Sequence, residues 1–173
     1  TIDQVIEQLR LLPYQPLNDF ANLDHHRPLR TGFPEVILAQ GKTNEQVVEL
    51  FLSLKQCYPQ VVATRVSAEM YQEIQDRIPE ATYRDIARIL YYDQNPTRVK
   101  QPGIMVVTAG TADIPVAEEA ALTAELFGNK VERIFDVGVA GFHRLIDRLP
   151  MLHEARVIIV VAGMEGALPS VVG

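Results

Sequence analysis

The sequence predicts an α/β protein: a small N-terminal α/β domain followed by a parallel sheet with helices on both faces. Three observations carry that expectation. Ile104-Met105-Val106-Val107-Thr108 and Arg156-Val157-Ile158-Ile159-Val160-Val161 are strand-length apolar runs without polar alternation, the pattern of strands covered on both sides. Between them, strand-like and helix-like periods alternate, which is the signature of parallel strands joined by crossover helices. Each strand of the second half then runs into a Gly- and Ala-rich turn.

Taken in order, residues 1–12 have a helical face of Val5, Ile6, Leu9 and Leu12. Thr1 and Gln4 stand at capping-box spacing, and Pro13 and Pro16 end the segment. Residues 22–32 hold no apolar period and read as an ordered loop or extended arm. Val36-Ile37-Leu38-Ala39 is a short strand and Gly41-Lys42 a turn. Thr43 and Gln46 cap a helix whose face carries Val47, Val48, Phe51, Leu52 and Leu54. Residues 61–66 are a strand, Ser67 caps a helix bearing Met70, Ile74 and Ile78, and residues 87–92 are a further strand. Together these make a βαβαβ-like unit over 33–95, after a helix and arm over 1–32. Residues 93–103 are polar, contain Pro96 and Pro102, and read as a linker. From 103 to 173 the expected elements are strands over 104–108, 131–137 and 156–161. Helices are expected over 114–127, stopped by Gly128-Asn129, and over 142–152, interrupted near Pro150.

Composition narrows function. The 173 residues carry a formal charge of −6 and are 47% apolar and 22% charged. A mildly acidic chain is a poor partner for nucleic acid. No apolar run is long enough for a membrane span, and the first residues lack the shape of a signal peptide, so a cytoplasmic protein is expected. One cysteine excludes an internal disulfide framework and a Cys-based zinc site. Cys57, late in a helix with no base nearby in sequence, reads as packing rather than nucleophile. His25-His26 lacks ligand partners at metal spacing, so no metal site is expected. There is no G-x-G-x-x-G or P-loop motif.

Ligands of open parallel sheets bind beyond the carboxyl ends of the strands, where strand order reverses. The three turns expected there are Ala109-Gly110-Thr111-Ala112-Asp113, Gly138-Val139-Ala140-Gly141-Phe142-His143-Arg144, and Ala162-Gly163-Met164-Glu165-Gly166-Ala167-Leu168-Pro169-Ser170. Small residues let backbone N–H groups approach a phosphate or carboxylate. Asp113 caps the helix at Ile114, contacts ligand, or does both. Glu165 follows a buried strand, where a carboxylate needs a partner or solvent. His143-Arg144 at a helix start is poorly placed on dipole grounds, which favours anion contact.

Three motifs then become recognisable. The first is Leu23-Asp24 through Arg27, with Arg30, Gly32, Pro34-Glu35-Val36-Ile37 and Gly41-Lys42-Thr43. The second runs from Val107 to Ala120 through Ala109-Gly110-Thr111-Ala112-Asp113-Ile114-Pro115. The third runs from Ala162 to Gly173. In this order they resemble the LarB family of nickel-pincer cofactor biosynthesis, whose cyanobacterial members have been labelled circadian phase modifiers.

The resemblance implies a flavodoxin-like catalytic domain similar to aminoimidazole ribonucleotide (AIR) carboxylase, here expected to be truncated after Gly173. It implies carboxylation of nicotinic acid adenine dinucleotide at pyridinium C5 by CO2 or bicarbonate. Hydrolysis of the phosphoanhydride would follow, giving pyridinium-3,5-biscarboxylic acid mononucleotide and AMP. It further implies Mg2+, no tightly bound organic cofactor, and a homo-oligomer, an octamer in the intact family. By the same resemblance Glu165 and Asp113 are the catalytic candidates. Gly110, Thr111, Ala112, Val139, Ala140, Gly141, His143, Arg144, Gly163, Met164, Gly166, Ala167, Leu168, Pro169 and Ser170 are the substrate-binding candidates. Arg27, Arg30 and Lys42 would contact substrate or hold a domain contact. The family's ring-attacking cysteine is expected in a segment after Gly173. The alternative is a regulatory nucleotide-binding protein without chemistry.

Overall fold

The computed structural model describes Ile6 and residues 14–173. The capping box expected at Thr1 and Gln4, and the helix it would start, lie outside the described residues apart from Ile6. The chain divides into two compact units, Thr1–Arg84 with Ile89–Pro96, and Asp85–Arg88 with Thr97–Gly173.

In the first unit β1 (Tyr14–Leu17) and β2 (Ala21–Asp24) form an antiparallel hairpin, followed by a short helix α1 (Arg27–Thr31). Residues 22–32 are therefore a strand and a helical turn rather than a loop. Leu17 and Leu23 are the side chains that the hairpin buries in the core. Then come β3 (Val36–Leu38), α2 (Asn44–Cys57), β4 (Gln60–Thr64), α3 (Ala68–Ile74), β5 (Thr82–Arg84) and β6 (Ile89–Asp93). The sheet order is β3-β4-β6-β5.

The α2 start follows the sequence closely. Thr43 accepts the Gln46 N–H while the Gln46 side chain accepts the Thr43 N–H at 3.0 Å. Ser67 likewise accepts the Met70 N–H at the start of α3. The expected βαβαβ unit needs correction at its last strand. β3 and β4 are parallel, but β6 runs antiparallel to β4. The reason is β5, a short strand whose hairpin with β6 turns the chain back at Asp85–Arg88. Val47, Val48, Phe51, Leu54, Val61, Ile74 and Leu90 fill the core between the helices and this sheet.

A buried polar network holds the hairpin end. His25, 2% exposed, sits with Nδ1 3.1 Å from the Tyr58 hydroxyl and Nε2 3.0 Å from the Gln15 side-chain oxygen. Tyr58 donates to the His25 carbonyl. Burial pushes the His25 ring below the usual histidine range and the Tyr58 hydroxyl up to about 12.

The second unit contains β7 (Gln101–Thr108), α4 (Ile114–Leu126), β8 (Asn129–Ile134), α5 (Phe142–Ile146), α6 (Leu149–Glu154), β9 (Val157–Val161) and α7 (Leu168–Val172). Its sheet is parallel with order β8-β7-β9, so β7 lies in the centre and order reverses there. This is the flavodoxin-like 2-1-3 arrangement, and it is three-layered. Val106, Ala117, Ala121 and Val131 pack on the α4 side. Met105, Val107, Leu145, Leu152 and Leu168 pack on the other.

Strand ends shift by one to three residues, β8 closing at Ile134 rather than Val137, and three further features differ from the sequence expectation. The tail of the linker joins β7, through an irregular pairing between Gln101 and Ile104. The 142–152 helix is two helices, and Pro150 sits in the first turn of the second rather than breaking the first. Strand β9 pairs only with β7 among the described residues and is half-covered, with Val157 52% exposed. Gly128 ends α4 as expected, at φ +87, donating to the Glu125 carbonyl. Among the described residues no helix is long and apolar enough to cross a membrane.

Two tests follow from this packing. Phe51→Ala, which empties a site 1% exposed, is expected to cost about 3–5 kcal/mol in urea unfolding. The depressed His25 pKa means the unfolded chain binds its proton first as pH falls. Stability held above the unfolded value of 6.5 is therefore lost as pH drops through the folded one. Unfolding midpoints are expected to fall as pH drops below 6.5, and to fall less in His25→Asn.

Candidate functional site

At the carboxyl ends of β7, β8 and β9 the three turns enclose a pocket of about 440 Å³. Its lining is Ala109, Gly110, Ala112, Asp113, Gly138, Val139, Ala140, Ala162, Gly163, Met164, Glu165, Ala167 and Leu168. The wall is almost entirely small or apolar. The two charged side chains in it are carboxylates.

The strands position the turns by direct hydrogen bonds between them. The Ala109 N–H donates to the Val161 carbonyl at 3.0 Å, joining the first turn to the end of β9. The Gly138 N–H donates to the Ala109 carbonyl at 2.8 Å, joining the second turn to the first. A Cβ at Gly138 would stand 2.7 Å from that carbonyl oxygen, so the approach requires glycine. Thr108, fully buried, adds two more links. Its hydroxyl accepts the Asp136 N–H at 3.0 Å and its carbonyl accepts the Val137 N–H at 3.0 Å.

Asp113 closes the ring. Its Oδ2 accepts the Gly110 N–H at 2.9 Å and its Oδ1 accepts the Gly163 N–H at 3.0 Å. One carboxylate thus ties the first turn to the third across fifty residues of sequence. The side chain does not cap α4. Its cap-like bond to Gly110 serves the short 3-10 turn Thr111–Asp113 that precedes the helix.

Glu165 is exposed at the pocket rim and makes no hydrogen bond or ion pair among the described residues. Solvent therefore meets the desolvation cost that its place after β9 raises. Met164 beside it is fully exposed with φ +49, a conformation uncommon for a non-glycine residue.

The remaining sequence candidates fall elsewhere. Thr111, Gly141, His143, Arg144, Gly166, Pro169 and Ser170 belong to the turns or the helices after them and do not line the pocket. Arg144 forms an ion pair with Asp136 and lies against Gly141. Ala109, Gly138 and Ala162 also line the pocket, and the sequence signal for them is position as the first residue of each turn.

In the first unit, Arg30 forms an ion pair with Asp24 and holds that carboxyl below its ordinary range. Asp24 also accepts the His26 N–H, and its own N–H donates to Glu35 at 2.7 Å. Arg27 is exposed. Lys42 lines a cavity of about 220 Å³ with Glu35, Leu23, Ile37 and Leu54. Cys57 is in this unit, and burial raises its thiol above the usual range, which disfavours the thiolate. Among the described residues no three His, Cys, Asp or Glu side chains converge on a metal position. The Mg2+ implied by the resemblance therefore has no ready-made set of side-chain ligands among them.

A parallel three-layer sheet with a pocket at its reversal point defines an α/β protein with a candidate small-molecule site there. Comparison with known proteins sharpens the class. Residues 14–94 match the LarB/PurE-like N-terminal domain. The chain is 37% identical over 182 aligned residues to an uncharacterized protein, MJ0165, of Methanocaldococcus jannaschii, covering 99% of this chain and 70% of that protein. This protein belongs to the LarB/PurE-like family, and that membership points to a carboxylase-like role.

Two substitutions test the tied turns. Gly138→Ala is expected to cost about 1–3 kcal/mol, as a methyl forced into a closed contact does. Asp113→Asn, which cannot accept two N–H bonds with both of its side-chain atoms, is expected to cost about 1.5–3 kcal/mol. It should also speed hydrogen exchange at the Gly110 and Gly163 amides, read by NMR.

Proposed function

We propose that the protein is a pyridinium-3,5-biscarboxylic acid mononucleotide synthase. It would carboxylate nicotinic acid adenine dinucleotide at pyridinium C5 and hydrolyse its phosphoanhydride to release AMP. The observation that carries this reading is an unpaired, exposed carboxylate, Glu165, on the rim of an apolar pocket at the sheet's reversal point, in a chain of the LarB/PurE-like family.

The chemistry asks two things of the site, a thiolate and a base. A pyridinium ring is too electron-poor to attack CO2. A thiolate adding to the ring donates the electron pair that makes C5 nucleophilic. After C5 bonds to CO2, a base takes the C5 proton and the thiolate leaves as aromaticity returns. Glu165, with both oxygens unengaged by protein, is the base in this scheme. Asp113 is a poor choice for it, since each of its oxygens already accepts a backbone N–H. No cysteine lines the pocket, and Cys57 belongs to the other unit. The thiolate of this scheme would be the ring-attacking cysteine that the family resemblance implies. Mg2+ would enter with the substrate's phosphates.

The experiment is incubation of the full-length protein with nicotinic acid adenine dinucleotide, bicarbonate and Mg2+, read by mass spectrometry. Dicarboxylated mononucleotide and AMP are expected. Binding without either product would favour the regulatory nucleotide-binding alternative. Glu165→Gln is expected to lower turnover by about 10²-fold or more, in line with loss of a general base.

A further inference from the structure

In the first unit, β2 and β3 border one cavity without pairing with each other. Among the described residues β2 pairs with β1 and β3 with β4. A side chain bridges the two strands instead: the Glu35 carboxylate accepts the Asp24 N–H at 2.7 Å. The hairpin is anchored from its other side by Leu17 in the core and by the contact of His25 with Tyr58. The gap beside β3 is therefore part of the packed fold.

This cavity measures about 220 Å³. That is below the roughly 300–1,000 Å³ of sites for drug-sized ligands, so it suits a small molecule. Its inner wall is apolar and buried, made by Leu23, Ile37, Leu50 and Leu54. Leu50 and Leu54 stand four residues apart on α2 and so share a face. The mouth is polar, with Lys42 and Glu35 half-buried and Asn22 exposed. Opposite charges elsewhere in the unit find each other, as Arg30 does with Asp24 and Lys55 with Glu80. The Lys42 ammonium makes no hydrogen bond or ion pair among the described residues, and only one oxygen of Glu35 is engaged. A cation and a carboxylate thus border one cavity and leave it open between them.

We propose that this cavity binds a free aliphatic α-amino acid, its side chain on Leu23, Ile37, Leu50 and Leu54, its carboxylate on Lys42 and its ammonium on Glu35. The charges select the head group. An anion alone would face Glu35 and an amine alone would face Lys42, whereas a zwitterion answers both. The buried wall selects the tail, since an apolar side chain removes its own surface and that of the four wall residues from water. The site is distinct from the proposed reaction, because its wall comes from the first unit alone.

The test is titration of the protein with L-leucine, read by amide NMR. Saturable shifts are expected at Leu23, Ile37, Lys42 and Leu50. Lys42→Met and Glu35→Gln are each expected to weaken binding about tenfold or more, the scale of one charge-assisted hydrogen bond. Lys42 is half-exposed, and glutamine at 35 keeps an acceptor for the Asp24 N–H, so both variants should keep the wild-type spectrum away from the cavity. On the unaltered protein, isovalerate and isopentylamine carry the same tail with half the head group each. Both should bind about tenfold more weakly than leucine or worse, and glycine, which lacks the tail, should bind more weakly too. Absence of saturable shifts at these amides, undiminished leucine binding in either variant, or equal binding of isovalerate or isopentylamine overturns the proposal. Displacement of leucine by inorganic phosphate would also overturn it, and would make Lys42 a phosphate contact.

Discussion

The second unit depends on a closed circuit of hydrogen bonds among turns that are distant in sequence. Ala109 is bonded on both sides, its N–H to β9 and its carbonyl to Gly138. Asp113 bonds the first turn to the third. Thr108 supports the circuit from below, with its hydroxyl and carbonyl both used by the segment after β8. Backbone N–H groups that are not bonded to solvent need partners. In this site the N–H groups of the turn glycines find them within the turns themselves, which ties the turns to one another. Turns tied in this way lose little to ordering on binding.

The same economy sets the site's electrostatics. A pocket built on strand ends ordinarily has donors to spare. Here one carboxylate consumes two of them, and the other carboxylate is left unpaired at the rim. The two acidic residues of the pocket are thus engaged in different ways. Asp113 is a brace because both of its oxygens have backbone partners. Glu165 has no such partner among the described residues. The first unit makes the same division among its charged residues, where Asp24, Arg30 and Glu35 hold one another and Lys42 faces a cavity.

Much of this was legible in the sequence, and the reasons differ by region. The central sheet is readable because 104–108 and 157–161 are apolar on both faces, and only a covered parallel sheet asks for that. The α2 start is readable because Thr43 and Gln46 act over three residues. The β1–β2 hairpin is not, since Tyr14-Gln15-Pro16-Leu17 buries one side chain and includes a proline. Strand β5, three residues with an exposed Thr82 and Arg84, has no period to find, and missing it reversed the sense of β6. At the site, the three turns and the pocket they form could be placed from strand ends alone. The use of their N–H groups could not, because the decisive partner of Gly163 is fifty residues upstream.

Helix α4 lies on the sheet through Ala117 and Ala121, both fully buried against Val106 and Val131. Methyl groups are the shortest spacers a side chain offers, so they bring the helix axis close to the strands. Asp113 immediately precedes that helix and is carried by it. The reach of its carboxylate toward Gly163 is therefore gauged one and two helical turns away, by residues that never see the pocket. The alanine face works as a shim under a lever, and its thickness determines whether the third turn is latched.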